Sequence, residues 1–164
     1  MLPKDRLYNV MFPIWMLLLF PQLWIITLPL NFLVDGAVLW FTLGALGIVQ
    51  ARRRRLCKRA IFLVWTLGFI ADFIGAFFMF VWNIVDFEDV SFGNAIMYNP
   101  FQRVDSLLWV TFCVVLTGFI IYLFNRYIAL RNLPLEDGIL QRLSLSLAVF
   151  TAPYLFYLPT AWFW

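Results

Sequence analysis

The chain has 164 residues, of which 64% are hydrophobic, 20% aromatic and 13% charged, with a net charge of +3 and no histidine. A soluble domain carries roughly 45–50% apolar and about 25% charged residues, so a mean hydropathy of +0.88 excludes one. Apolar runs of about twenty residues read as membrane-crossing helices, and the expected fold is an all-α integral membrane protein with one polytopic domain over residues 1–164.

From residue 7 to residue 49 the sequence is apolar almost without a break. As helix it would reach roughly 64 Å at 1.5 Å per residue, about twice a bilayer core, so it should fold back once. Pro29 and Asn31 mark the expected turn, because Pro ends a helix and Asn tolerates turn geometry. This gives a first span at 7–28, kinked at Pro13 and Pro21 or re-entrant, and a second at 31–50.

Arg52, Arg53, Arg54, Arg55, Lys58 and Arg59 then separate the second span from a third at 60–82. A loop with Asp86, Glu88, Asp89 and Asp105 leads to a fourth span at 106–124. A second loop, over 125–142, carries Arg126, Arg131 and Arg142, and a fifth span at 143–162 is interrupted by Pro153 and Pro159. Five transmembrane helices with the N-terminus inside and the C-terminus outside put every one of these basic residues on the cytoplasmic side. Arg103 alone is left outside, as the positive-inside rule asks. The expected location is the bacterial cytoplasmic (inner) membrane.

Asp72 is the only charge between Ala60 and Trp82, and a carboxylate at such a depth costs roughly 2.5–3.5 kcal/mol on insertion scales. Trp65, Gly68, Asp72, Gly75 and Met79 recur at steps of three and four and share one helix face. Phe62, Phe69, Phe73, Phe77 and Phe80 occupy the other side. Small residues admit a neighbouring helix and Phe suits lipid, so Asp72 should point into a helix interface. On the preceding span Asn31, Asp35 and Thr42 form a second polar stripe. With the connecting loop centred near Arg55, Asp72 would sit level with Val38, one turn nearer the basic side than Asp35. Thr111 on the fourth span should lie at about the depth of Asp35, with Gly118 as a further close-packing position.

The candidate ion or proton site is therefore Asp72, Asp35, Asn31 and Thr111, and the helix-packing stripe is Gly68, Gly75 and Gly118. The basic cluster from Arg52 to Arg59 can touch anionic lipid headgroups, at about 1 kcal/mol per residue, or simply fix topology. No HExxH, GxSxG or Walker motif occurs, and without histidine the commonest general base and metal ligand is missing. No enzyme activity, cofactor or metal is expected, and no nucleic-acid partner, since the basic residues hug the membrane. Cys57 and Cys113 belong to no metal-spaced motif. These features point to a small ion channel or proton/cation-coupled transporter, oligomeric because five short spans enclose little pathway. The alternative is a non-catalytic accessory or immunity-type subunit that docks on another membrane protein through the small-residue stripes.

Overall fold

A computed structural model of the chain describes residues 24–84 and 90–162. Helix α1 runs Trp24–Ala45, α2 Gln50–Ile84, α3 Val90–Tyr98, α4 Val104–Phe124 and α5 Asp137–Phe150. Among the described residues there is no strand, and four helical stretches are long and apolar enough to cross a membrane: Trp24–Ala45, Gln50–Trp82, Val104–Ala129 and Asp137–Tyr157. The expected first span, 7–28, lies outside the described residues apart from residues 24–28, as do Asp86, Glu88 and Asp89 of the acidic loop.

The fold-back expected at Pro29 and Asn31 is absent. Helix α1 passes through Pro29 without a break, because an apolar surround penalises unpaired backbone more than one missing N–H costs. The next connection, expected as a basic loop centred near Arg55, is a tight turn at Leu46–Val49. Gly47 takes φ +80°, a left-handed conformation that glycine adopts without Cβ strain. Its N–H donates to Gly44 O and that of Ile48 to Leu43 O, both at 3.0 Å, which is the Schellman closure of a helix C-terminus.

Helix α2 starts at Gln50, so the basic cluster is not a loop but the first turns of a 35-residue helix. Five of its six side chains project into solvent, and long straight side chains favour helix. Arg53 is the exception. It folds back over α1, its guanidinium 4.4 Å from the Trp40 ring centre, and fills the space above Gly44.

Helix α4 begins where Asp105 receives the Ser106 N–H and pairs with Arg103, a carboxylate in the first turn being favourable to the helix dipole. It continues through a π-helical turn, Asn125–Ala129. The last expected span is shorter as α-helix than 143–162. Helix α5 stops at Phe150, and the chain goes on as 3-10 turns at Tyr154–Tyr157 and Thr160–Trp162. Pro153 explains the stop, because a proline clashes with α geometry in the residue before it and cannot donate to the preceding turn.

Helix α2 forms the spine, with α1 and α4 against it and α5 closing the bundle between them. Toward the basic end the core is Leu39, Leu43, Leu56, Val64, Leu143 and Leu147. Toward the other end it is Met79, Val110, Cys113 and Phe156. Phe62, Phe73 and Phe77 of α2 remain exposed, whereas Gly68, Gly75 and Met79 are buried.

Candidate carboxylate cavity

A cavity of ≈390 Å³ opens between α1, α2 and the broken end of α5. Asp35, Asp72 and Asn31 all line it. The packing of α1 on α2 explains why. Trp24 meets Phe69 edge-on at 5.4 Å, the Trp65 indole N–H donates to Leu28 O at 2.9 Å, and Gly68 faces Asp35. A Cβ on Gly68 would stand 3.5 Å from Asp35 Oδ2.

Because the hairpin turns at Gly47 rather than near Arg55, the expected order of the two carboxylates is reversed. Asp72 lies one turn of α2 beyond Gly68, toward the Trp24 end of α1, and Asp35 lies nearer the basic end. The reversal brings them together. Helical side chains lean toward the N-terminus of their own helix, so on antiparallel helices Asp35 leans toward the Trp24 end and Asp72 toward the Gln50 end. The two carboxylates converge, and Asp72 feels the charge of Asp35.

Among the described residues, their surroundings supply no counter-charge. Asp35 is 6% exposed, and Asp72 Oδ1 is fully enclosed with no hydrogen-bond partner. Among the described residues no Lys or Arg lines the cavity or pairs with either carboxylate. The last turn of α5 faces the same space, and the C-terminal end of a helix carries partial negative charge. Both full charges and the nearby dipole end thus have the same sign.

Thr151, at the break in α5, is the polar group that sequence reasoning did not single out. Its hydroxyl donates to Leu147 O at 2.8 Å and also reaches the Asp35 carboxyl. A hydroxyl has one proton to give. That proton can serve Leu147 O or an Asp35 carboxylate oxygen, not both at once. An ionised Asp35 draws the hydroxyl away from Leu147 O, which keeps its bond from the Thr151 N–H at 2.9 Å. The signal available in the sequence was Pro153, two residues on, which forces the helix to end there.

Thr111 stands elsewhere. Its hydroxyl donates to Leu107 O and accepts from Tyr157, and it does not line the cavity. The small residues of the stripe are filled from within the chain: Gly75 lies against Thr117 and Phe156, and Gly118 against Ala148 and Ala152. The basic cluster is divided. Arg52 donates to Pro134 O and Arg53 covers Trp40, while Arg54, Arg55, Lys58 and Arg59 are exposed. Among the described residues no group of three His, Cys, Asp or Glu side chains gathers, so a metal ion would find two carboxylates here and would need its other ligands from hydroxyl, amide or backbone oxygen. No protein-family model, no curated protein and no solved structure matches this chain, and the cavity is read from its own geometry.

Proposed function

We propose that this protein is a proton- or cation-coupled membrane transporter whose coupling site is the Asp35–Asp72 pair. One observation carries the reading: two converging carboxylates share an apolar-walled cavity with the broken end of a helix and, among the described residues, with no cationic side chain. Intramembrane carboxylates are costly and mark ion or proton sites, and interrupted helices at membrane depth are tolerated where they line a cavity. Positive charge brought by a proton or cation is what such a site needs.

A coupled carrier fits better than an open channel. Toward the basic end the cavity is closed by Leu39, Leu43, Leu143 and Leu147, each fully buried. Beyond Leu39 the next polar pair on the α1–α5 seam is Thr42 and Ser146, hydroxyl to hydroxyl at 2.7 Å. The bilayer orientation that suits the charges has the Arg52–Arg59 turns and the α4–α5 connection inside, with the Trp24 and Tyr157 ends outside. The coupled-carrier reading is favoured over an accessory subunit because Gly75 and Gly118 pack against residues of the same chain.

Flux in proteoliposomes tests the proposal. The protein should move protons or alkali cations down an imposed gradient, and Asp72→Asn should abolish that movement while eluting as the same folded particle. Unchanged flux in Asp72→Asn and in Asp35→Asn would sink it.

A further inference from the structure

The cavity is much larger than the ion its carboxylates call for. Bare alkali cations and protons need a few oxygen ligands and little room, whereas ≈390 Å³ is more than ten times the roughly 30 Å³ a water molecule occupies in liquid. It falls within the range of about 300–1,000 Å³ typical of small-molecule sites, where apolar walls surround a few placed polar groups. The walls are of that kind. Phe69, Phe150 and Tyr154 contribute aromatic surface, and the Tyr154 hydroxyl donates to Val149 O at 2.6 Å, which orients its ring.

The polar end defines the head group. Asp72 Oδ1 is a buried acceptor without a donor, so the occupant has to bring an N–H or O–H. Two carboxylates with no basic neighbour among the described residues call for a cationic donor. Among the same residues no basic side chain offers a seat for an accompanying phosphate or carboxylate, which disfavours zwitterions. Cationic heads are also held by aromatic faces. The mouth defines the route. Leu30, Val34, Phe150 and Leu155 line the cavity and are each more than 40% exposed, so the opening is rimmed by the apolar surface that lipid would cover.

Resting on the transporter reading, we infer that the cavity binds an amphipathic ammonium ion, a hydrocarbon or arylalkyl amine with N–H donors and no anionic group, entering sideways from the bilayer. Its ammonium seats between Asp35 and Asp72, and its apolar body lies along Phe69, Phe150 and Tyr154.

Binding of tritiated 4-phenylbutylammonium to the full chain in phosphatidylcholine nanodiscs, corrected for empty nanodiscs, tests this. The probe should bind saturably, and Asp72→Asn should weaken it about ten- to hundredfold, the range of a hydrogen bond to a charged group. Tyr154→Ala, a rim change that leaves both carboxylates in place, should weaken it roughly threefold. The trimethylammonium analogue, which has no N–H, and the uncharged 4-phenylbutanol should each bind at least about tenfold more weakly. Equal binding of the alcohol, or binding unchanged in both Asp72→Asn and Asp35→Asn, would overturn the inference. Displacement of the probe by phosphatidylethanolamine at bilayer abundance would overturn it in favour of a lipid headgroup. Asp72-dependent ion flux without probe binding would remove the ammonium ligand and leave the transporter standing. Probe binding without any flux would do the reverse.

Discussion

At the scale of single residues the structure separates groups that hold the fold from groups that strain it. Asp72 Oδ1 is enclosed and unpartnered, and an unsatisfied buried polar atom costs about 1–3 kcal/mol. Asp72→Leu is therefore expected to raise thermal stability in detergent by an amount of that order while removing flux. A lower melting temperature would mean that Asp72 is packing glue. Gly75 behaves oppositely. A Cβ there would overlap Thr117 Oγ1 and stand 3.1 Å from the Phe156 ring, and Thr117 is held by its bond to Cys113 O. Gly75→Ala should destabilise by about 1–3 kcal/mol, the usual scale of overpacking, and the added change Thr117→Ala should recover much of it. Gly68→Ala meets only Asp35 Oδ2 at contact distance and should lose less than about 1 kcal/mol. Chemical denaturation of the three variants in one detergent checks the order. The spacing of Gly68, Asp72 and Gly75 is legible in the sequence because a helix repeats every three to four residues. What faces each of them is set by neighbouring helices whose register the spacing does not contain.

At the scale of elements, α1 and α5 are joined by the Thr42–Ser146 bond in a seam otherwise built of leucine. A double-mutant cycle with Thr42→Val and Ser146→Ala should give a coupling of about 0.6 kcal/mol, the average for interhelical hydrogen bonds in membranes, read from unfolding in detergent. Additivity within error would show that the hydroxyls are independent. The helix ends were the harder part to read. Pro153 announces the stop of α5, yet Pro29 lies inside α1 unbroken. The two prolines differ in their continuations. Beyond Pro29 the chain remains apolar and its surviving helix bonds outweigh the missing one, whereas beyond Pro153 the segment is tied sideways by Tyr157 to Thr111 and by Thr160 to Met97 O. Sequence alone does not show those ties, so Thr151 and its contact with Asp35 stayed hidden.

At the scale of the whole molecule, composition alone gave the helical class, and the positions of the arginines gave the two ends. The register of the first hairpin was not legible, because one left-handed glycine moves the turn about eight residues and no charge marks it. The resulting arrangement makes a topological prediction. In a Cys57→Ser/Cys113→Ser background, single cysteines at Gly138 and Arg54 should react with impermeant maleimide only in inside-out vesicles, and one at Asn94 only in right-side-out cells. Labelling of Gly138 and Asn94 from the same side would refute it. The wall of the cavity provided by α5 has an unusual suspension. Below the break it is tied to α1 by one hydroxyl pair, and above it to α3 and α4 by two more hydroxyls. Each such tie is worth about 0.6 kcal/mol, which is close to RT at room temperature. Thermal noise alone can therefore break and remake any one of them. The polar ties choose the direction in which the wall settles, while the wedged ring of Phe156, 1% exposed between Gly75 and its neighbours, bears the weight. A wall suspended in this way rests on one apolar bearing and is only steered by its polar ties.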